Sequence, residues 1–526
     1  MAERQGQLGG QPLFVLSEDS QRTSGKDAQT SNIAAGKAVA ESVRTTLGPR
    51  GMDKMLVSDS GDVVITNDGA TILDEMDIEH PAAQMIVEVA DTQEEEIGDG
   101  TTTASVLAGR LLAQAEELLD QDVHPTTIVE GYHHAAEIAN EAVDEVALDV
   151  DVDDDLLEQV AESSMTGKGT GGITAGRLAE TVVGAVRRVE HDGVVDDDRI
   201  ALSTQVGASS SATELIEGVV VDEEPLLAAM ARSVDDPRIA VFDVELGVRT
   251  GDVDVEYELD SVDQLSAAME SEESELRELA DRITAEDVDV VFTTDDVDDR
   301  VASLLEAEGV VAFEDVDDDD ATAVARATGA GRVGSLEDFD GDDVGSADTV
   351  RTDTFGDDEV TFVEGGAATQ AVNVFVRGGT EHVVDELERT LSDAVNVVTA
   401  AVETGEVVPG AGASEIAIAD HVRREAAGVE GRRQLAVEAF ADAVDIVPRT
   451  LAENAGTDPI DALVDLRAEH DESGRAGLVT VDGETAVGDP VPDGVVDPAT
   501  VKREAVDSAS EAATMIARID DVIAAE

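Results

Sequence analysis

The sequence predicts a multi-domain α+β protein in which a mainly helical region at each end encloses a mixed region, and the mixed region encloses an α/β region. Three observations predict this arrangement. The chain has 526 residues, far more than the roughly 150 residues of a typical single domain. Apolar residues recur at the helical spacing of three or four in residues 82–140 and again after residue 381. Strand and helix patterns alternate between residues 214 and 365.

The N-terminal region reads as a helix, a turn and two strands, followed by long helices. Residues 20–60 predict a helix, a turn at TLGPRG and an apolar strand. A strand at 63–66 ends at Asn67-Asp68-Gly69, a tripeptide that is also typical of a simple hairpin turn. Residues 82–140 are mostly helical but are interrupted at Gly98-Asp99-Gly100, and residues 142–155 form an acidic connector. Helix and strand patterns then mix up to residue 213.

The central region predicts an α/β unit. Strands are expected at 239–246, in VDVVFTT and in VVAF, and helices lie between and after them. This alternation favours a sheet with a parallel component. The first of these helices, in SVDQLSAAMESEESELRELADRIT, has its apolar residues on one side: Leu265, Met269, Leu276, Leu279 and Ile283.

The C-terminal region returns to helices. A strand in TQAVNVFVRGG leads into a long helix that begins near Glu381. Helical character continues from there to the last residue, with breaks at GEVVPGAGAS and VGDPVPDGVVDPATV. The order helical, mixed, α/β, mixed, helical predicts nested domains.

The composition is strongly acidic. Asp and Glu number 120 against 34 Lys and Arg, which gives a net charge of −86. Such a chain repels itself in dilute buffer, whereas at about 1 M salt the screening length falls to about 3 Å. We therefore expect a protein from a salt-saturated cytoplasm; the alternative is a polyanion that binds cations or basic proteins. A broad acidic surface argues against nucleic-acid binding.

Several other classes are disfavoured. The chain has no cysteine, so no disulfide framework or thiolate metal site is expected. Its first residues, MAERQGQLGGQPLFVLSEDS, lack the basic and apolar parts of a signal peptide. No apolar run approaches the roughly 18 residues of a membrane span. We expect a soluble, cytoplasmic protein without a membrane partner.

The stretch EEEIGDGTTTASVLAGRLLA has the chemistry of a nucleotide loop. Glycines on both sides of Asp99 let the backbone turn tightly, and the helix that follows presents its free N–H groups and positive dipole end to the loop. Thr101, Thr102 and Thr103 add hydroxyl donors. A carboxylate repels a phosphate but suits a Mg²⁺ ion that accompanies it, so a Mg-nucleotide is indicated. The alternative is that Asp99 only caps the helix.

Further candidate residues lie elsewhere. TTLGPRG, with Gly48 and Pro49, and PGAGAS are two more glycine-rich loops in the helical regions, and no Walker, kinase, dinucleotide or G-x-S-x-G motif accompanies them. Asp68 lies in a turn after a strand, and Asp393 lies on an apolar helix face, where a carboxylate is costly unless it is paired or catalytic. The spacing alone does not predict that these two carboxylates meet.

Ten segments carry a family resemblance over nearly the whole length. They are GGQPLFVL, QRTSGKDAQ, TTLGPRGMDKML, VVITNDGATIL, GDGTTTASVLAG, MTGKG, VRGGTEHVVDELERTL, VVPGAGASE, VPRTLAENAG and VVDPATVK. In these segments the chain resembles a group II chaperonin of the archaeal thermosome type, with a haloarchaeal composition. The resemblance implies an ATP-dependent chaperone that encloses unfolded polypeptides in a double ring of eight or nine subunits per ring, alone or with sister subunits.

The resemblance also implies a division into chaperonin domains. Residues 1–141 and 405–526 would form the equatorial ATPase domain, and residues 142–213 and 366–404 the intermediate domain. Residues 214–365 would be the apical domain that meets clients, with a lid protrusion near 255–295.

The site residues follow from the matched motifs. The resemblance implies that Asp99 holds Mg²⁺, that Asp68 and Asp393 position and activate the attacking water, and that Lys168 reaches toward the γ-phosphate. Gly412 would approach the base and ribose, and Asp497 would take the ribose hydroxyls. The remaining nucleotide contacts would come from Thr46, Leu47, Gly48, Pro49, Asn67, Gly100, Thr101, Thr102 and Thr103. The implied cofactors are ATP and Mg²⁺, with K⁺ as a plausible companion ion.

Two features depart from the family pattern. Ala411 stands where the family commonly has a glycine, so its φ must be negative or its backbone strained. The apical region is unusually acidic, so client binding is expected to need salt. Two other functions remain open at this stage: a small-molecule phosphotransferase that uses the same loops, and a scaffold whose loops are structural.

Overall fold

The structure, a computed structural model, describes residues 21–58, 61, 63–150, 152–247, 262–356, 358–366, 371–481 and 484–524. The first 20 residues of the predicted equatorial domain and the part of the predicted protrusion up to residue 261 lie outside the described residues. The described residues build three large hydrophobic cores and two small ones, and we name the parts around the three large cores the terminal, middle and inserted bodies.

The terminal body is formed by both ends of the chain. Its N-terminal elements are β1 (Gln21–Ser24), α1 (Lys26–Val43), β2 (Lys54–Val57), β3 (Val63–Thr66), α2 (Gly69–Asp74), α3 (Pro81–Ile97), α4 (Thr101–Asp120) and α5 (Pro125–Val146).

The middle body begins after α5. Its first elements are α6 (Asp154–Met165), α7 (Ala175–Val189), β4 (Glu190–His191), β5 (Val194–Val195), β6 (Ile200–Val206) and β7 (Glu214–Ile216).

The inserted body follows. Its elements are β8 (Gly218–Val221), β9 (Ser233–Asp235), β10 (Arg238–Phe242), α8 (Val262–Ala285), β11 (Val290–Thr293), α9 (Asp299–Glu308), β12 (Val311–Phe313), α10 (Asp318–Thr328), β13 (Arg332–Val333), β14 (Gly345–Phe355) and β15 (Asp358–Gly366).

The chain then returns through the middle body to the terminal body. The elements are β16 (Val372–Gly378), α11 (Glu381–Thr404), β17 (Val407–Pro409), α12 (Ala413–Ala426), α13 (Arg433–Val444), α14 (Ile446–Asn454), α15 (Pro459–Ser473), β18 (Gly477–Val481), β19 (Glu484–Gly488), β20 (Val496–Pro498), α16 (Ala499–Arg518) and β21 (Asp521–Ala524).

The core of the terminal body is a bundle in which α1, α3, α5, α13 and α16 surround α4. Apolar residues occupy nearly every face of α4, so this helix is buried on all sides. A Cβ atom added to Gly109 would lie 2.3 Å from the Ala40 Cβ, so α1 and α4 cross too closely for a side chain at that point. The antiparallel pair β1–β21 brings the described ends of the chain together. This bundle is the rigid base for three loops of the candidate site.

The middle body packs α6, α7 and α11 against a three-stranded sheet. Its central strand, β16, pairs parallel with β6 and antiparallel with β7, and all of its residues are buried. The helix α11 begins at Glu381, as predicted, and it carries Asp393 on its buried face.

The inserted body contains a sheet in the order β12-β11-β10-β14-β15-β8. The three strands β10, β11 and β12 pair in parallel, as the alternation of strands and helices predicts. The strand predicted at 239–246 is shorter, because β10 ends at Phe242 and Leu246 forms only an isolated bridge with Val297. Met269 is 61% exposed although its spacing groups it with Leu276 and Ile283, and among the side chains of α8 that the structure describes, those in the inserted core begin at Leu276.

Taken together, the structure confirms the predicted multi-domain α+β class. Several strands near the ends of the chain were missed, namely the pair β1–β21, the pair β17–β20 and the hairpin β18–β19. The prediction that helical character continues to the last residue is wrong, because α16 ends at Arg518 and β21 follows it. Among the described residues, no helix is both long and apolar enough to cross a membrane.

Candidate functional site

A cavity of about 630 Å³ opens between the terminal body and α6 of the middle body. All the predicted nucleotide residues line it, including Asp68, Asp99 and Lys168. Asp393 does not line the cavity but lies directly behind Lys168. The cavity size is in the usual range for a small-molecule or cofactor site.

The loop before α4 forms one wall. Gly98 and Gly100 both have left-handed backbones, with φ of 76° and 84°, which explains why glycine flanks Asp99. Gly100 occupies the N-cap position of α4, and Asp99 Oδ1 accepts a hydrogen bond from the Gly100 N–H at 2.7 Å. The alternative in which Asp99 caps the helix is therefore wrong. The first turn of α4 presents its N-terminal end to the cavity, which suits an anion.

A buried glutamine holds this loop in place. Gln93 is completely buried, and its Nε2 donates to the Asp99 carbonyl oxygen at 2.7 Å. The same nitrogen lies 3.4 Å from the carbonyl oxygen of Val501 on α16. The position of Asp99 is thereby tied to α16.

The segment Thr46–Pro49 forms the second wall. Gly48 has φ of 85°, and a Cβ atom at this position would lie 2.3 Å from Leu451 Cδ2. The Thr46 and Thr102 hydroxyls are 3.4 Å apart, so this segment and the start of α4 meet directly. Asn454 donates to the carbonyl of Leu47 at 2.9 Å and fixes the turn from α14.

Asp68 begins a helix rather than closing a hairpin. Its Oδ2 accepts from the Thr71 N–H at 2.7 Å as the N-cap of α2, and its Oδ1 accepts from the Thr101 hydroxyl at 3.2 Å. The simple hairpin alternative for Asn67-Asp68-Gly69 is therefore wrong. Asn67 donates to the Gly167 carbonyl at 2.6 Å, which connects the terminal body to the loop that carries Lys168.

Lys168 and Asp393 form a buried ion pair, with Lys168 Nζ donating to Asp393 Oδ2. Burial alone would lower the pKa of Lys168, but the Asp393, Asp99 and Asp68 carboxylates together outweigh it and raise that pKa. Burial raises the pKa of Asp393 to about 6, against the opposing effect of Lys168 and with a further contribution from Asp68. Asp393 is thus mainly ionised at neutral pH and can accept a proton.

Asp99 has the properties of a cation ligand. Burial raises its pKa, Lys168 opposes this, and the Asp497 carboxylate adds to it. Its side chain receives one backbone N–H, so lone pairs remain for another partner. A hard divalent cation such as Mg²⁺ prefers oxygen donors of this kind, so the residues present fit Mg²⁺.

The far end of the cavity is formed by the loop before α12. Ala411 has φ of 55°, so of the two expectations for this residue the strained backbone is the one observed. Gly412 also has a left-handed backbone and is the N-cap of α12. The missed hairpin lies against this loop, since the Leu478 N–H donates to the Ala411 carbonyl at 2.9 Å.

Asp497 stands within a network that sequence reasoning missed. Lys502 Nζ lies 2.8 Å from Asp497 Oδ2 and 3.0 Å from Glu415 Oε1. Ser163 on α6 donates to Asp497 Oδ1 at 3.3 Å, so this network also connects the two bodies. A usable signal was the scarcity of lysine: of only five lysines in the chain, Lys168 and Lys502 both lie in this cavity.

Glu94 is a second missed residue. Burial raises its pKa to about 9, and the Asp393 and Asp68 carboxylates contribute while Lys168 opposes them. In the sequence it is one of three consecutive glutamates, so nothing in the local pattern distinguishes it from Glu95 and Glu96.

The fold and the site define a multi-domain protein with a polar, nucleotide-sized cleft whose walls come from two bodies. A model of the TCP-1/cpn60 chaperonin family matches residues 39–526. Thermosome subunit 3 of Haloferax volcanii is 64% identical over 518 residues, which are 98% of this chain and 99% of that protein. Thermosome subunit alpha of Halobacterium salinarum is 52% identical over 521 residues, 99% of this chain and 92% of that protein.

The similarity is not confined to Haloferax and Halobacterium. A thermosome subunit of Methanopyrus kandleri is 50% identical over 524 residues, 98% of this chain and 95% of that protein. The chain therefore belongs to the TCP-1/cpn60 chaperonin family. Within it the chain is a group II chaperonin of the archaeal thermosome type, an ATP-dependent molecular chaperone.

Proposed function

We propose that this chaperonin hydrolyses Mg-ATP in the cavity described above and uses the energy to close a double ring over unfolded polypeptides. The terminal body would be the equatorial domain, the middle body the intermediate domain and the inserted body the apical domain with its lid. The observation that carries this proposal is that Lys168 and Asp393 of the middle body converge on Asp68 and Asp99 of the terminal body.

The proposed binding mode follows the lining of the cavity. The start of α4, with Gly100 and the three threonines, and the Thr46–Pro49 segment would hold the phosphates through N–H and hydroxyl donors. Asn67 would support them from the side of α2. Gly412 would approach the base and ribose, and Asp497 would accept from the ribose hydroxyls. Asp99 would hold Mg²⁺, which would neutralise part of the phosphate charge.

In the proposed reaction, a water oxygen attacks the γ-phosphorus, and the bond from that phosphorus to the β,γ-bridging oxygen breaks. Asp393 accepts the proton that the water loses, and Asp68 orients the water. Lys168 stabilises the charge on the γ-phosphoryl oxygens. Asp68 and Asp393 lie on different bodies, so the catalytic arrangement is complete only when the two bodies close on each other. This requirement couples ATP hydrolysis to a change in the protein's conformation.

The test is Asp393→Asn, measured as phosphate release and nucleotide affinity in multimolar KCl. Loss of the base should lower turnover by about 10²–10⁴-fold and leave nucleotide binding nearly unchanged. Asp385→Asn, two turns earlier on the same helix, is the matched control and should keep normal turnover. Unchanged turnover in Asp393→Asn would remove this residue from the mechanism.

Electron microscopy with and without Mg-ATP separates the remaining alternatives. Stacked rings of eight or nine subunits that close during turnover would support the chaperone, and repetition with Na⁺ in place of K⁺ would test the proposed K⁺ requirement. A small-molecule phosphotransferase would consume ATP in step with an acceptor and need no ring, and a scaffold would not hydrolyse ATP. The acidic composition and the haloarchaeal relatives favour work in a salt-rich cytoplasm.

A further inference from the structure

Glu94 lies in the last turn of α3, immediately behind the proposed catalytic residues. Its carboxyl is within hydrogen-bonding reach of the Asp393 carboxyl, and its Oε2 is buried without a hydrogen-bond partner. It does not line the cavity. The charged groups that act on it most strongly are Asp393 on α11, Asp68 at the start of α2 and Lys168 in the loop after α6.

The cluster around Glu94 contains more acidic groups than basic ones. The four carboxyls are those of Asp68, Glu94, Asp99 and Asp393, and they surround one ammonium, that of Lys168. Three of them have donors: Asp68 has Thr71 and Thr101, Asp99 has Gly100, and Asp393 has Lys168.

Glu94 is the member of the cluster that can keep a proton. In the described part of the chain it receives no comparable donor, and two ionised carboxylates cannot form a hydrogen bond with each other. A protonated Glu94 can instead donate to Asp393, which is itself mainly ionised at neutral pH. Of the two carboxyls, that of Glu94 is therefore the one that carries the proton.

The contact between Glu94 and Asp393 joins two bodies, since α3 belongs to the terminal body and α11 to the middle body. The two helices approach closely at this point: a Cβ atom at Gly98 would lie 2.6 Å from the Asn396 Cβ on α11. A hydrogen bond from Glu94 to Asp393 therefore exists only while α11 is docked on the end of α3.

We propose that Glu94 is a positioning residue that, as a neutral acid, donates a hydrogen bond to Asp393 and holds α11 docked over the cleft. This inference rests on the proposed function of Asp393. Glu94 keeps its proton throughout the reaction. When it ionises, two carboxylates are in contact and α11 is released, so the base leaves its position.

The sign of the pH dependence follows from the raised pKa of Glu94. The docked state favours the neutral acid, so its advantage is fully present at low pH and is lost as pH rises from the ordinary carboxyl range to about 9. Turnover at saturating ATP should fall on the alkaline side for this reason.

The experiment measures turnover and nucleotide affinity from pH 6 to 10 in multimolar KCl for three variants and the unchanged chain. Glu94→Gln keeps a donor but cannot ionise, so its turnover near neutral pH should stay within about threefold of the unchanged chain, and its alkaline fall should disappear. Glu94→Ala should lower kcat about tenfold near neutral pH, where the unchanged chain keeps the hydrogen bond, and this difference should shrink above about pH 9; nucleotide affinity should stay intact, because the hydrogen bond is lost away from the cavity.

Glu95→Gln is the matched control, since it makes the same substitution at an exposed position one residue away. It should reproduce the profile of the unchanged chain. An alkaline fall in Glu94→Gln equal to that of the unchanged chain overturns the inference, and so does full kcat in Glu94→Ala. Asp393→Asn, assayed in parallel, tells the two proposals apart: normal turnover there overturns the proposed function itself.

Discussion

At the residue scale, Ala411 has a strained backbone within the proposed nucleotide site. A left-handed backbone is unfavourable for any residue with a Cβ atom, by about 1 kcal/mol for alanine relative to glycine. Ala411 has φ of 55° and lies beside Gly477, whose added Cβ would come within 3.1 Å of the Ala411 Cβ. The surrounding loop and hairpin therefore hold this residue in a backbone conformation that is unfavourable for alanine.

Replacing Ala411 by glycine should remove that strain. We expect Ala411→Gly to raise the free energy of unfolding by about 1 kcal/mol, measured by urea unfolding in molar KCl, with nucleotide affinity retained. The matched control is Ala413→Gly, the same change in the first turn of α12, which should lower stability because glycine is unfavourable in a helix. A loss of stability in both variants would show that Ala411 is not strained.

The residues of the site could be predicted unevenly. Asp68 and Asp393 could be singled out from their positions at a strand end and on an apolar helix face. Their convergence could not be predicted, because it depends on how α11 packs against the terminal body. The pairing of Glu415 with Lys502 had no local signal beyond the scarcity of lysine, because the two residues are 87 positions apart. Local patterns mark a residue as unusual, whereas packing between distant elements decides what it meets.

At the element scale, the N-terminal ends of α2 and α4 meet at Gly69. A Cβ atom at this position would lie 2.5 Å from the Thr102 hydroxyl oxygen and 2.8 Å from the Thr102 backbone nitrogen. The two elements can therefore approach only because residue 69 has no side chain. This approach keeps Asp68 close to the first turn of α4.

Gly69→Ala should push the two helix ends apart and displace the threonines of α4. We expect a loss of nucleotide affinity of at least about tenfold, since two or more charge-assisted hydrogen bonds would be misplaced. Titration calorimetry with Mg-ADP measures it, and the far-ultraviolet circular dichroism should stay unchanged. Gly379→Ala is the control, because an added Cβ there meets no atom within 4 Å. Equal affinities in both variants would contradict the proposed phosphate site.

The elements were easier to predict than their contacts. Helices of the terminal body follow from apolar spacing, and the strand β16 and the start of α11 lie where the pattern places them. The hairpin β18–β19 was missed although Asp482-Gly483 separates two strand-like runs, which is a strong hairpin signal. It was overlooked because the surrounding 120 residues are dominated by helical spacing, and a short hairpin changes that average little.

At the scale of the whole molecule, the negative charge is concentrated enough to affect individual groups. On the inserted body, burial raises the pKa of Glu223 to about 7, and neighbouring carboxylates, those of Asp222 and Asp315 first, raise it further. Burial likewise raises the pKa of Asp320 to about 6, with Asp317 adding to the effect. Ionising these carboxyls costs free energy in the folded chain, so repulsion between carboxylates already lowers the stability of the folded state.

The sign of the resulting pH dependence is fixed. A carboxyl whose pKa is raised by folding opposes the folded state once pH exceeds its ordinary range, and the penalty grows until pH passes the raised pKa. The inserted body should thus be more stable near pH 5.5 than near pH 8. Salt should reduce the part of this stability difference that comes from repulsion by neighbouring carboxylates. It should not reduce the part that comes from burial of the carboxyl group.

Lowering KCl from about 1 M to about 0.1 M lengthens the screening range from about 3 Å to about 10 Å, so repulsion between neighbouring acids returns. We expect the thermal unfolding midpoint to fall on this dilution, and to fall more at pH 8 than at pH 5.5. Sucrose at a concentration that stabilises neutral proteins should raise the midpoint by a similar amount at both pH values and leave the gap between them, because it does not screen charge. Closure of that gap by sucrose, or an equal fall at both pH values on dilution of KCl, would mean that salt acts by excluding itself from the surface rather than by screening. Glu223→Gln then tests where the effect arises: if screening dominates, this substitution should narrow the difference between the unfolding midpoints at the two pH values, since it removes the half-buried acid on which several neighbours act.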